Sequence, residues 1–244
     1  MRFGVQLMNW NRRRVCLLPL AFFALLVSLG TAVADPSCPD PAVPVAALLL
    51  PPPKHDSAHT KGELQELLRL QKARTSEQVE HVRGDDHRTV QRFLGGMGIK
   101  VEKLSDSATR FFDCIGAAVE YAVREAKTTF MRTRPYRLHE NKLHTLKKLS
   151  DRDSTSYPSG HATYGTVVGL VLVEMLPEKK EEIYKRIQDY GYSRLVSGAH
   201  FRSDVYAGNI AGAAIAASLL NKDAFRDQLK DVKVELRKAA GFAP

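Results

Sequence analysis

Past Pro53 the chain holds no convincing run in which apolar and polar residues alternate, so no segment offers the one-sided face of a half-buried strand. Spacing near 3.6 recurs instead. Leu64, Leu67, Leu68 and Gln71 stand at i, i+3, i+4 and i+7, an amphipathic stripe. Phe111, Phe112, Ile115, Val119, Ala122 and Val123 gather on one side of a helix expected from about Ser107 to Phe130. A shorter helix is expected from Ser76, with Ser76 as its N-cap. Further helices are expected over residues 161–176, 177–196, 203–220 and 222–239. The apolar runs 167–173 and 210–220 are too short to cross a bilayer and read as buried core helices. Gly95, Gly96 and Gly98 break the chain before the long helix. Pro135 is expected to stop that helix, since the residue before proline is pushed out of the α region. With no repeat and no linker, residues 61–244 read as one all-α domain.

The other end of the chain reads differently. Arg12, Arg13 and Arg14 precede fifteen apolar residues, 15–29, and Ala32-Val33-Ala34 supplies small residues at a cleavage site. Residues 1–34 are therefore expected to be a cleaved signal peptide rather than an anchor, because the apolar stretch falls short of the ~20 residues of a spanning helix. No lipobox precedes Cys38. Export to the periplasm or the medium follows. Residues 35–60 form a proline-rich arm, expected to be extended from Asp35 to Pro53, since its closing Pro51-Pro52-Pro53 cannot be helix interior and reads as polyproline or turn.

Charge narrows the partners. The leader carries four arginines and no acid, so removing it lowers the formal charge from +9 to +5. That modest excess suits small anionic substrates. Basic residues are scattered without interleaved aromatics, so nucleic acid is not an expected partner. Two cysteines remain, Cys38 and Cys114, and an oxidising compartment would allow one disulfide between arm and helix.

Chemistry concentrates in three blocks. The first is Lys127, then six residues, then Arg134-Pro135, with nearly two turns placing both cations on one helix face. The second is Pro158-Ser159-Gly160-His161 at the start of an apolar helix, where backbone N–H groups and the helix dipole favour an anion. The third is Ser193-Arg194, five residues, His200, three residues, Asp204. His200 and Asp204 stand at i and i+4, so the carboxylate can hold one imidazole nitrogen and leave the other as a nucleophile. Singly, each block has an ordinary reading: a solvated basic face, a capped turn, an exposed His–Asp pair. Eleven residues in fixed spacing and order make chance a poor account.

Together these blocks resemble the type 2 phosphatidic acid phosphatase and vanadium haloperoxidase superfamily, and within it the secreted bacterial class A non-specific acid phosphatases. The resemblance implies a single-domain helical bundle of the acid phosphatase / vanadium haloperoxidase type. Ala162 stands where threonine is expected in many class A members. It implies His200 as nucleophile, Asp204 as its orienter and His161 as acid, then base. It also implies that Lys127, Arg134 and Arg194, with Ser159 and Gly160, bind the phosphate. Broad action on small phosphorylated substrates such as nucleotides and sugar phosphates is implied, as is a homodimer. His161 has to begin charged and His200 neutral, so an acidic optimum is expected.

His161, His200 and Asp204 could formally make a two-histidine, one-carboxylate metal set. Three neighbouring cations repel a divalent ion, so no metal and no cofactor are expected. Three other readings stand beside the phosphatase: a vanadate-dependent haloperoxidase, a lipid phosphate or pyrophosphate phosphatase, and a periplasmic phosphate-binding protein without turnover. Tyr136, Tyr157 and Phe201 flank the motifs, either lining an apolar mouth or packing in the core. The remaining histidines carry no assigned role.

Overall fold

The computed structural model describes residues 39–147 and 155–243, together with Met1. The chain divides between Val33 and Ala34, and every element below lies in the unit that follows. The signal segment expected over residues 1–34 lies outside the described residues, apart from Met1.

Ten α-helices are described: α1 (Val45–Leu48), α2 (Ala58–Ala73), α3 (Ser76–Gly84), α4 (Val90–Gly95), α5 (Asp106–Phe130), α6 (Pro135–Leu138), α7 (Gly160–Met175), α8 (Lys180–Val196), α9 (Arg202–Leu220) and α10 (Asp223–Ala239). Among the described residues the only β pairing is a single bridge, Thr133 to Thr155. None of the described helices is long and apolar enough to cross a membrane.

Ser and Thr hydroxyls start five of these helices by accepting an orphan amide of the first turn: Ser57, Thr75, Thr89, Ser105 and Ser159. The cap of α3 is Thr75, not Ser76, because Gln78 answers with its own side chain on the Thr75 amide at 2.9 Å. That reciprocal pair forms only when the cap stands three residues before the glutamine. Two further expectations are corrected. The arm is not wholly extended, since one helical turn, α1, follows Pro44 and buries Val45. Pro135 does not end α5: the helix stops at Phe130 with Met131 left-handed at φ 46°, and Pro135 instead opens α6 at its first position.

The core is built on α7, apolar nearly all round, with α5, α8 and α9 packed against it. Two glycines of α9 decide how near it can come. A Cβ on Gly208 would sit 2.6 Å from the Ser159 carbonyl oxygen, and one on Gly212 would sit 2.7 Å from that of Thr163. Bare backbone at both positions draws α9 onto the first turns of α7. The stripe of α2 buries Leu67 in a second cluster with Tyr136, Leu143, Leu195 and Phe201. Tyr136, Tyr157 and Phe201 are all core residues, so the apolar-mouth alternative for them is set aside. Cys114 on α5 is disulfide-bonded. Cys38 lies outside the described residues.

Candidate active site

A cavity of about 560 Å³ opens between the C-terminal half of α5, the first residues of α7 and His200 just ahead of α9. Lys127, Arg134, Gly160, His161 and His200 all line it, so the three sequence blocks do converge. Lys127 and Arg134 arrive differently from expectation. They do not share a face of one helix, because α5 ends between them and Arg134 is the extended N-cap residue of α6. A reversal of the chain, pinned by the Thr133–Thr155 bridge and the Ser156 amide on the Arg132 carbonyl at 2.7 Å, folds Arg134 back toward Lys127. The Lys127 ammonium donates to the Thr155 carbonyl at 3.0 Å.

His200 is buried just ahead of α9, and its two nitrogens are distinguished by their partners. Arg134 Nη1 stands 3.0 Å from Nε2. A guanidinium only donates, so Nε2 holds the lone pair and Nδ1 carries the proton. Nδ1 faces Asp204 Oδ2 at 3.4 Å. The same Oδ2 accepts from the Phe201 amide at 2.8 Å and from the Ser156 hydroxyl. Burial, together with the charge of Arg134, drives the His200 pKa down to about 3 against the opposing pull of Asp204. Burial alone would raise the Asp204 carboxyl. The His200 hydrogen bond, the Arg132 charge and Ser156 outweigh it and hold the group below its ordinary value.

His161, in the first turn of α7, lines the cavity and is half-buried. Its Nε2 lies 3.2 Å from the Asp86 carbonyl oxygen, which can only accept, so Nε2 bears the proton. Desolvation, then Arg194 and Arg88, lower its pKa well below 6.5, while the Asp86 contact works the other way. Both lowering effects weigh against the charge that the resemblance places on His161 at the outset.

Two expected phosphate contacts are also placed otherwise. Arg194 is buried behind the cavity, donating to Asp86 Oδ1 at 2.6 Å, the Val82 carbonyl at 3.1 Å and Ser193 Oγ at 3.1 Å. A guanidinium in that setting needs a counter-ion, and Asp86 supplies it. The Ser159 amide donates to the Asp204 carbonyl at 2.9 Å and its hydroxyl caps α7, so of the Ser159–Gly160 pair it is Gly160 that borders the cavity. Conversely, Asp86, Arg88, Arg124 and Lys147 line the cavity without belonging to any motif.

A pocket lined mainly by cations and bordered by a proton-bearing and a lone-pair imidazole is chemistry for phosphoryl transfer. Residues 113–226, which contain all three blocks, match the family model of the PAP2 superfamily. Similarity extends to particular phosphatases: a non-specific acid phosphatase of Salmonella typhimurium is 42% identical over 120 residues, 48% of this chain and 47% of that protein. A non-specific acid phosphatase of Providencia stuartii is 38% identical over 124 residues, 50% of this chain and 49% of the relative. The chain thus spans about half the length of the curated relatives it matches. A bacterial vanadium-dependent iodoperoxidase shares the fold at a TM-score of 0.54 and 18% identity, over 71% of this chain and 52% of that one.

Proposed function

We propose that the chain is an exported acid phosphatase that cleaves small phosphate monoesters through a phosphohistidine at His200. The observation that carries the reading is the tautomer of His200. Asp204 and Ser156 stand on its Nδ1 side, and Nε2 presents a lone pair to the cavity where Arg134 waits.

In the first step Nε2 attacks phosphorus and the bond to the leaving oxygen breaks, while Lys127, Arg134 and the Gly160 amide balance the equatorial oxygens. Arg134 must turn from Nε2 to the phosphate for this to happen, which couples binding to unmasking of the nucleophile. His161 gives its proton to the leaving alkoxide. A substrate dianion beside His161 offsets Arg194 and Arg88, so the ester itself raises the histidine into the range where it can take up that proton. In the second step His161 accepts a proton from water, water oxygen joins phosphorus, and the P–N bond breaks to leave inorganic phosphate.

Hydrolysis of p-nitrophenyl phosphate between pH 5 and 8 tests the reading. Wild-type turnover is expected to be lost in His200→Ala by about 10⁴-fold or more, the scale on which a covalent nucleophile acts. A label from the substrate should appear on the wild-type protein as an acid-labile, base-stable adduct. Ordinary turnover in His200→Ala would sink the assignment.

A further inference from the structure

Arg132 falls inside the six-residue gap of the first block and does not line the cavity, yet it is among the most enclosed charges in the molecule. Its Nη1 donates to Asp204 Oδ1 at 2.7 Å and to Ser203 Oγ at 2.6 Å. Nη2 donates to Glu63 Oε2 at 3.1 Å and lies 3.3 Å from Thr60 Oγ1, both on α2. The guanidinium lies over the Phe201 ring at 4.2 Å, and its Nε has no acceptor. Glu63 closes the arrangement by accepting the Ser203 amide at 2.6 Å with its other oxygen.

Burying three charges in a row costs several kcal/mol per ion before pairing, and apolar packing would fill the same space more cheaply. The chain of charges ends on the one oxygen of Asp204 that does not face His200. With Oδ1 held by Arg132 and Oδ2 held by the Phe201 amide and Ser156, the carboxylate has no freedom left to swing from Nδ1. From the proposed phosphatase reading, on which this step rests, we infer that Arg132 is a positioning residue: anchored to α2 through Glu63, it fixes Asp204 so that the lone pair of His200 Nε2 stays aimed into the cavity.

The charged and titratable groups facing Asp204 are Arg132 from the α5–α6 loop, His200 ahead of α9 and Tyr157 ahead of α7. Glu63 lies beyond Arg132, with His59 of the same helix 3.7 Å from Glu63, and Arg134 and Lys127 lie beyond His200. Removing Arg132 takes away a cation that keeps the carboxylate ionised. Removing the charge of Glu63 leaves Arg132 uncompensated, which holds the carboxylate ionised more strongly. The two variants therefore displace the acid limb of kcat in opposite directions, a result that general loosening of the fold does not produce.

The test measures kcat and KM for p-nitrophenyl phosphate against pH in wild type, Arg132→Gln, Arg132→Lys and Glu63→Gln, with thermal melts of each. Arg132→Gln is expected to lose about 10- to 100-fold in kcat, the range typical of partners that orient a working histidine, with KM within about twofold and the acid limb moved up. Arg132→Lys, which keeps charge but loses the fork, should fall between it and wild type. Glu63→Gln should lose kcat while its acid limb moves down. If Arg132→Gln does not fold, the Lys and Glu63 variants carry the test. Limbs that stay put or move together overturn the inference while leaving the phosphatase reading intact. Absence of turnover in wild type overturns both.

Discussion

His161 shows how a single residue's surroundings set what it can do. The imidazole is half-buried at the cavity wall, held at Nε2 by a carbonyl, and exposed to the fields of Arg194 and Arg88. Of the two cations, Arg194 is neutralised by Asp86 at 2.6 Å, whereas Arg88 reaches its partner Glu120 at 3.6 Å and borders the cavity. On the proposed reading of His161 as the acid, Arg88 is the group through which it can be tuned without dismantling the site. Arg88→Gln removes a charge that depresses the His161 pKa, so the protonated form persists to higher pH. The alkaline limb of kcat should move up, by up to about one pH unit for a neighbouring charge in a partly solvated cleft. A limb that stays in place in a pH–rate series would show that His161 is not the acid. None of this was legible in the sequence. Asp86 and Arg88 sit in the turn between α3 and α4, roughly seventy residues before His161 in the chain, with no motif spacing to mark them. Arg132 was hidden for a related reason: it occupies a gap position, and its partners Glu63 and Asp204 lie 69 and 72 residues away.

Elements, by contrast, could largely be read in advance. α5, α7, α9 and α10 announce themselves by apolar spacing, and their ends fall within a few residues of expectation. What periodicity could not give is how closely two helices approach. His200 and Asp204 lie at the start of α9, and Gly160 and His161 at the start of α7, so the site exists only because these two starts are brought together. Gly208 and Gly212 permit that approach. The contact is sealed by the Ser159 amide donating to the Asp204 carbonyl at 2.9 Å. Gly208→Ala would drive a methyl group to 2.6 Å from the Ser159 oxygen and 2.9 Å from the Ala162 Cβ. Backbone on one side and a core methyl on the other cannot both yield. The variant should lose about 1–3 kcal/mol in urea unfolding, as overpacked cores do, and kcat should fall with it because the same displacement separates His200 from the α7 start. Unchanged unfolding and turnover would mean that α9 has room that the packing does not suggest. Lys127 and Arg134 teach the converse. Their seven-residue spacing looked like one helix face, but a left-handed Met131 and a proline at a helix start turned the chain between them. The two side chains meet at the cavity by tertiary folding, which no local rule encodes.

Across the whole molecule, one consequence of depressing the pKa of both site histidines is a stability curve that slopes with pH. Burial depresses His200 to about 3 and His161 well below 6.5. In the unfolded chain each imidazole takes up a proton as pH falls through about 6.5, whereas the native chain leaves them neutral until far lower. The unfolded state therefore binds more protons over that interval, and stability declines as pH is lowered, by up to about 1.4 kcal/mol per pH unit for each histidine. Asp85, paired with Arg186 and Arg92, and Asp204 add the same sign further down. Their folded pKa values lie below the ordinary carboxylate range, so the stability they confer above it is lost as pH drops through them. On the proposed phosphatase reading, turnover at acid pH falls on the declining side of this curve, and a bound anion offsets part of the loss. An anion between Lys127, Arg134 and His161 favours the charged imidazole, so binding takes up a proton and is tighter at pH 6 than at pH 8. Thermal melts from pH 8 to pH 5 should show Tm falling below about pH 6.5, with inorganic phosphate raising Tm more at pH 6 than at pH 8. A Tm that is flat across this range would mean that His161 and His200 are charged in the native state, and the tautomer argument for the nucleophile would fail with it.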